Sequence, residues 1–495
     1  MNSAGAVRIR RPAMKLPRRP EWVERSSRSH WYTIAGISFG AFMIQLDSSI
    51  VTLALPSLQR SFDASLASAQ WVSVAYVLTV VALVAPCARL GDGWGRKNLY
   101  LYGYAMFTVG SILCSIAPDL ASLIAFRVLQ GTGGAAIAGN AIAMVTENIP
   151  KERLRDGLAV QAAVQSLGLA LGPMSGGFLV DAFGWRSIFW VNVPIGVVAV
   201  VSALVLLPDA TQRRSMPRFD WPGTTLLTLA AIGLLVGLSG LSGLPLGLVG
   251  SLILLVSPAL ILPVFWRREK RAGAPLIDPP TLRTPQIAIG ALGAMVSYLL
   301  LIAPTVLIPQ LLVPLGWSVS ATGVILFAMP AGFLTATVAS TAWLHSWAGN
   351  SMRTDVGCVA ILGAIVALAS RPTEIAWIVP ALAVLGIGLG VYVPANNASV
   401  MAAATARGTG TAGSLIALSR NVGVATGVAV VTLTLHVAGH DSRRDASDPA
   451  GAAHNALVGA AHWAWLVLLG FAALAALAAL ASAVAAGRSA SAAST

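Results

Sequence analysis

Long apolar segments recur along the whole chain and restrict the folds open to it. Each is about 20 residues or longer, which as a helix is enough to cross a hydrocarbon core of roughly 30 Å. Hydrophobic residues make up 56% of the 495, too many for a soluble globular fold to bury. We therefore predict an all-α integral membrane protein with fourteen transmembrane helices. The predicted spans are 31–57, 69–90, 98–117, 120–147, 154–180, 187–207, 223–242, 247–266, 286–313, 319–345, 353–370, 375–401, 409–437 and 459–486.

The basic residues alternate with the predicted spans. If the N-terminus is cytoplasmic, most of the 32 lysines and arginines fall on the cytoplasmic side, which is the positive-inside pattern. This predicts a multi-pass protein of the cell (inner) membrane with both termini in the cytoplasm. The net charge of +13 does not gather on one face, so we expect no nucleic-acid partner. The basic tail is interpreted as an anchor on anionic lipid of the bilayer, with nucleic-acid binding as the less favoured alternative.

Two polar stretches separate six spans from a central pair and six more. A short internal echo supports two related halves, since ARLGDGWG (88–95) aligns with AWLHSWAG (342–349) at the same place in each half. The predicted organisation is a cytoplasmic basic tail (1–30), an N-terminal six-helix bundle (31–207), cytoplasmic linkers with two extra helices (208–285), a C-terminal six-helix bundle (286–487) and a second cytoplasmic tail (488–495).

A glycine stripe marks the fifth span, in LGLALGPMSGGF. Gly168, Gly172 and Gly176 recur every four residues, followed by Gly177, and such a stripe lets a neighbouring helix approach closely. Pro173 removes one backbone donor and bends the helix. Ordinary membrane-helix packing is the plainer explanation. The stretch nevertheless resembles the antiporter motif of drug/proton antiporters in the major facilitator superfamily.

Other segments carry the same resemblance, which covers essentially the whole chain. It implies two six-helix bundles plus two extra central helices. It also implies a proton-coupled antiporter that uses no cofactor and exports lipophilic, often cationic drugs in exchange for protons. We expect the protein to be monomeric. The segments that resemble the fourteen-span drug/proton antiporter family are LDSSIVTLALP (46–56), ARLGDGWGRK (88–97), RVLQGTGGAA (127–136), GWRSIFWVNVPIG (184–196) and GSLIALSRNVGVATG (413–427).

Two alternatives to multidrug efflux stay open at this point. An exporter of an endogenous metabolite or lipid would use the same machinery with another cavity lining. A non-transporting membrane receptor would predict a large soluble domain or a long signalling tail, and the sequence has neither.

Asp47 is the only acidic residue predicted to lie well inside a span. A carboxylate deep in a bilayer is costly unless it is protonated, paired or facing water. Burial favours its protonated form, whereas a nearby cation favours the ionised form. Arg127, about two turns into the fourth span, is the natural counter-ion. The resemblance assigns this pair to proton coupling; the alternative is a pair that only holds two helices together.

The loop between the second and third predicted spans contains Asp92, Gly95, Arg96 and Lys97. The resemblance implies that this loop latches the two halves in one conformation. A basic cytoplasmic turn that only sets topology is the alternative.

Further polar and aromatic side chains in the spans are candidates for a central substrate cavity, although many such residues bond between helices instead. Arg420, in the thirteenth predicted span, is a candidate gate residue. The cavity candidates are Gln45, Asn140, Gln161, Gln165, Asn192, Tyr298, Gln310, Tyr392, Asn396 and Asn397.

The sequence offers little support for an enzyme or a metal site. No catalytic triad or redox dyad emerges, and the three cysteines are an odd number for a disulfide framework. HVAGHD (436–441) has plausible metal-ligand spacing but is interpreted as a solvated loop. We therefore expect neither catalysis nor a bound metal.

Overall fold

The computed structural model describes residues 19–150, 153–208, 220–241, 246–271, 284–339, 349–403, 409–442 and 449–493, and within these ranges every regular element is helical. The first group of helices is α1 (Glu21–Glu24), α2 (Ser29–Phe62), α3 (Leu66–Ala69), α4 (Trp71–Trp94), α5 (Arg96–Ser115), α6 (Leu120–Asn148), α7 (Leu154–Phe183), α8 (Ser187–Trp190) and α9 (Asn192–Leu206). Two further helices follow, α10 (Trp221–Leu241) and α11 (Gly247–Glu269). The last group is α12 (Pro285–Leu312), α13 (Val319–Ala339), α14 (Asn350–Ser370), α15 (Ile375–Ala403), α16 (Thr409–Ser442) and α17 (Pro449–Ala493).

Twelve helices in the described ranges are long and apolar enough to cross a membrane. The predicted spans 98–117 and 154–180 also form helices, α5 and α7, which are not among these twelve. α5 begins with Arg-Lys-Asn, which lowers its apolar content. Within α7 the shorter stretch Leu167–Phe183 is predominantly apolar.

Helices α2–α9 pack mainly with one another, and α12–α17 form a second such group. In the first group α2 packs along α7, while α6 packs between α4 and α5. In the second, α15 lies against α13 and α14, and α12 lies against α16. The groups, here called the N-terminal and C-terminal halves, meet chiefly where α7 packs against α13 and α2 against α12.

The two extra helices lie at the periphery. α10 and α11 pack on each other, and α10 also contacts α4 of one half and α16 of the other. Only 11% of the apolar window of α11 is buried, compared with 83% for α12. α12 is therefore an inner helix of the molecule, whereas α11 presents most of its surface outward.

Several predicted segments fall outside the described residues. These are the first 18 residues of the basic tail, parts of the predicted linkers (209–219 and 272–283), the end of the tenth predicted span (340–345), most of the second loop copy (342–348) and the end of the second tail (494–495).

Candidate functional site

Asp47 lies at the centre of a buried polar network. Its Oδ2 atom is 2.7 Å from Nη1 of Arg127, and its Oδ1 atom accepts hydrogen bonds of 3.0 Å from the side-chain amides of Gln130 and Asn192. The Asp47 side chain has no exposed surface and that of Arg127 is 1% exposed. Because both carboxylate oxygens accept from N–H donors, one of them cationic, the arrangement fits an ionised aspartate.

Arg127 is held by more than its counter-ion. Its Nε atom donates to the Val72 carbonyl at 2.8 Å, Nη1 also reaches the Gln130 side-chain oxygen at 2.6 Å, and the guanidinium lies 4.3 Å from the centre of the Tyr76 ring. The Gln130 amide donates in turn to Ser111 Oγ at 2.8 Å. The network therefore connects α2 with α4, α5, α6 and α9.

The start of α6 fixes where its two network residues lie. Asp119 and Ser122 form a reciprocal capping box, in which the Ser122 backbone N–H donates to Asp119 Oδ1 at 2.8 Å. Arg127 follows about two turns later, and Gln130 is three residues beyond it on the same helix face. Sequence reasoning identified the arginine and missed the glutamine, although that spacing was the available signal.

The glycine stripe of α7 lies directly on the part of α2 that carries Asp47. No side chain fits at Gly168, Gly172 or Gly176, because even a Cβ atom would meet α2 within contact distance. At Gly168 that atom would be 2.6 Å from a backbone carbonyl of α2. The α2 residues that would be struck are, in order, Phe42, Ser49 and Ile50.

The other side of α7 contacts α13 across the boundary between the halves. A Cβ atom at Gly177 would lie 2.6 Å from the Val319 carbonyl, and one at Gly323 would strike the Pro173 carbonyl. Ser320 Oγ also donates to the Gly177 carbonyl at 3.3 Å. The segment resembling the antiporter motif therefore lies between the Asp47 helix and the opposite half.

Two further hydrogen bonds join the halves where α2 and α7 end. The Ser320 backbone N–H donates to Asp181 Oδ2 at 2.7 Å, and the Gln310 amide donates to Gln59 Oε1 at 2.9 Å. Gln310 was a cavity candidate, whereas its partner Gln59 and Asp181 were not singled out from the sequence.

Two of the loop residues predicted to latch the halves, Arg96 and Lys97, contact other helices of the N-terminal half. Gly95, with φ of 93°, separates α4 from α5. Arg96 forms a 3.1 Å ion pair with Glu147 on α6, and Lys97 donates to the Leu204 carbonyl on α9 at 3.2 Å. The side chain of Asp92 lies outside the described part of the structure, and the latch stays a prediction.

Six of the ten cavity candidates are buried and four are partly exposed. Among the buried ones, Asn140 donates to the Cys87 carbonyl at 3.2 Å and Asn396 to the Gly290 carbonyl at 2.8 Å, so both bond between helices. The buried group is Asn140, Gln161, Asn192, Gln310, Tyr392 and Asn396. The partly exposed group is Gln45, Gln165, Tyr298 and Asn397.

A buried ion pair thus joins two candidate membrane spans, α2 and α6, and α2 packs on a glycine-lined helix that contacts the other half. The Major Facilitator Superfamily model matches residues 37–428. The chain belongs to the major facilitator superfamily. It is a multi-pass membrane transporter, and its transport function is not enzymatic.

The relatives of this major facilitator protein carry names that indicate different transport roles. The riboflavin transporter RibZ of Clostridioides difficile (strain 630) is 29% identical over 81% of this chain and 87% of its own length. The multidrug resistance protein Stp of Mycobacterium tuberculosis is 31% identical over 82% of this chain and 76% of its own length.

Solved structures agree on the fold. An inward-facing bacterial homologue of the human lysosomal transporter Spinster superposes with a TM-score of 0.63 at 17% identity, covering 92% of this chain and 98% of that one. At this identity the likeness concerns the fold alone.

Proposed function

We propose that this transporter is a fourteen-span proton-coupled antiporter that exports lipophilic small molecules across the cell membrane. In this proposal α5 and α7 span the bilayer together with the twelve candidate spans, and both termini are cytoplasmic. The observation that carries the proposal is the fully buried Asp47–Arg127 pair. Buried ion pairs are poor stabilisers compared with apolar packing, so a role in charge movement explains its presence better than stability does.

The proton step takes place on the carboxylate of Asp47. A proton arriving there removes the charge that balances Arg127, and an uncompensated buried charge costs about 3–5 kcal/mol. The arginine retains its bond to the Val72 carbonyl and its place over the Tyr76 ring. Protonation therefore favours a different arrangement of α2 relative to α4 and α6, in which Arg127 regains water or another partner.

A change at Asp47 reaches the opposite half through α7. The α2 residues that contact the glycine stripe lie within one or two turns of Asp47, and the other side of α7 rests on α13. Because α7 places no side chain between its glycine stripe and α2, a shift of α2 displaces α7 directly. Pro173, whose carbonyl contacts α13 at Gly323, provides the bend.

The proton gradient supplies the work. Each net charge that crosses 100 mV releases about 2.3 kcal/mol. The two halves rock about a site between them that opens to each side in turn. Asp47 is ionised while substrate binds from the cytoplasm and takes up a proton from outside after release, and this protonation drives the return.

Export of an endogenous metabolite is the second candidate. It is supported by the 29% identity to a riboflavin transporter across 81% of the chain. The coupling machinery is the same in both cases, and only the side chains that meet the substrate differ.

The test is transport by the purified protein in proteoliposomes that contain the pH dye pyranine. With an imposed pH gradient, we expect addition of riboflavin or of the aromatic dye 8-anilino-1-naphthalenesulfonate to accelerate proton movement, and nigericin to abolish concentrative uptake. Uptake of these compounds that proceeds without any substrate-dependent proton movement would contradict antiport.

A further inference from the structure

The Asp47–Arg127 pair and Arg420 differ in how far solvent or a ligand can reach them. Asp47 is wholly buried, and Arg127 balances its charge. A molecule held between the halves therefore meets no free carboxylate at this site. Arg420 on α16 is partly exposed, and no carboxylate among the described residues pairs with it.

Arg420 faces the interior of the molecule. Its guanidinium carbon lies 5.9 Å from the centre of the Tyr298 ring on α12, which is the most buried of the twelve candidate spans. Both helices also contact the N-terminal half, α12 through α2 and α16 through α4. The Arg420–Tyr298 pair therefore lies on helices at the boundary between the halves.

The contact between these two side chains leaves Arg420 able to bind a ligand. A separation of 5.9 Å is close to the limit of about 6 Å for a cation–π contact. Tyr298 therefore orients the guanidinium and leaves its N–H donors available to a ligand. The planar fork of N–H donors matches a carboxylate or a similar oxyanion, and it also stacks on aromatic rings.

We propose that Arg420 and Tyr298 form an anion subsite, and that the transported compounds are planar aromatic molecules carrying a carboxylate, a sulfonate or an acidic phenol. The inference rests on the proposed export function and specifies its substrate class. An anion neutralises the Arg420 guanidinium, with which no carboxylate of the described residues pairs, whereas a cation brings a second positive charge beside it. The sequence resemblance implied cationic substrates, and the charge distribution reverses that preference.

This substrate charge changes how transport responds to membrane potential. For one proton per substrate, exchange of a cation moves no net charge, while exchange of a monovalent anion moves two charges. At about 2.3 kcal/mol per charge per 100 mV, export of an anion depends strongly on voltage. A potassium gradient with valinomycin therefore distinguishes the two substrate classes.

Binding is tested on the full chain in lipid nanodiscs without a proton gradient. The probes are 8-anilino-1-naphthalenesulfonate and N-phenyl-1-naphthylamine, which share a ring skeleton and differ by the sulfonate, with ethidium as the cation. We expect the sulfonate dye to bind about 10-fold more tightly than the other two, as a charge-assisted hydrogen bond allows. Equal affinities, or a preference for ethidium, would overturn the proposal.

Variants locate the preference in the subsite. Arg420→Gln should weaken binding of the sulfonate dye about 10-fold and change binding of the neutral dye less than twofold, while Arg420→Lys should retain part of the preference. Arg371→Gln is the matched control, since Arg371 also lies over a ring, that of Trp377 at 4.9 Å, but at an exposed helix end. An unchanged preference in Arg420→Gln would overturn the assignment.

Two more variants keep the test independent of folding and of proton coupling. If Arg420→Gln unfolds, Tyr298→Ala should weaken binding of the sulfonate dye while Tyr298→Phe preserves it, and equal effects of the two would count against the subsite. Asp47→Asn should retain the preference for the sulfonate dye. Loss of proton coupling with that preference intact separates the antiport proposal from this one.

Discussion

The carboxylate of Asp181 accepts a hydrogen bond of 2.7 Å from the backbone N–H of Ser320, across the boundary between the two halves. Ser320 lies in the first turn of α13, where backbone N–H groups lack partners within their own helix. The acid therefore caps a helix of the opposite half and favours its positive dipole end. With the Gln59–Gln310 bond nearby along α2 and α12, it helps to close this end of the molecule.

Removing this cap should loosen the closed end. Because Asp181 is exposed, we expect Asp181→Ala to increase opening only about two- to fivefold, as charge–dipole contacts at helix ends allow. The reporter is Val319→Cys at a buried position of the same contact, labelled with a membrane-impermeant maleimide.

The chain offers a low background for this labelling experiment, because its native cysteines Cys87, Cys114 and Cys358 are all buried. Glu374→Gln is the control, since it removes an exposed acid whose partner, Arg371, lies three residues away. An unchanged labelling rate in Asp181→Ala would show that the carboxylate does not hold the halves together.

A methyl group at Gly172 should separate α7 from α2. Its Cβ atom would strike the Ser49 side chain and lie 3.2 Å from the Ile50 backbone nitrogen, so the helices cannot absorb it without moving. We expect Gly172→Ala to lower the free energy of unfolding by about 1–3 kcal/mol and to slow transport. The measurement is thermal unfolding in detergent, together with substrate flux.

Gly470→Ala is the matched control for this substitution. No atom lies within 4 Å of a Cβ atom at Gly470, which is also helical, so alanine should be neutral or stabilising there. If both alanine variants have the same stability and the same substrate flux, the close packing of the glycine stripe does not determine either quantity.

Gln130 should be essential because it bonds to both members of the ion pair. Gln130→Leu removes one donor to Asp47 and leaves Ser111 without that partner. We expect transport to fall about 10-fold or more while the protein stays in the membrane, since losing a hydrogen bond to a charged group costs about 1.5–3 kcal/mol. Asn148→Leu, at the far end of the same helix, should transport normally. A comparable loss of transport in both variants would show that the contacts of Gln130 with the ion pair are not required.

Gly95 should tolerate no other residue without cost. Its φ of 93° and ψ of 128° belong to a region that residues with a Cβ atom rarely occupy. We expect Gly95→Ala to destabilise the protein by about 1–3 kcal/mol, because it strains the break between α4 and α5. Gly363→Ala, in an ordinary helix with open space around it, is the control for thermal unfolding. A Gly95→Ala protein as stable as this control would contradict the argument from φ.

The ion pair could be predicted from the sequence because a charge in an apolar span has few ways to be stable. Asp47 and Arg127 stand out for that reason, and the distance between them was the missing information. Gln130 is neutral and therefore inconspicuous, although its spacing from Arg127 places both on one helix face. Asp181 was missed because an acid near the end of a predicted helix is ordinary.

Polar residues in spans were harder to interpret. Asn140 and Asn396 looked suited to a cavity, yet each donates to a backbone carbonyl of another helix. Such bonds depend on which helices are neighbours, and residue type alone does not specify this.

The most direct test of the account is proton movement in proteoliposomes by Asp47→Asn, which keeps the size of the side chain and removes its titration. Asp220→Asn is the matched control, because Asp220 is also buried and paired with an arginine, Arg268 at 2.8 Å, in the peripheral α10–α11 pair. We predict that Asp47→Asn loses substrate-dependent proton movement while Asp220→Asn retains it. Full proton-coupled exchange by Asp47→Asn would contradict the proposed mechanism.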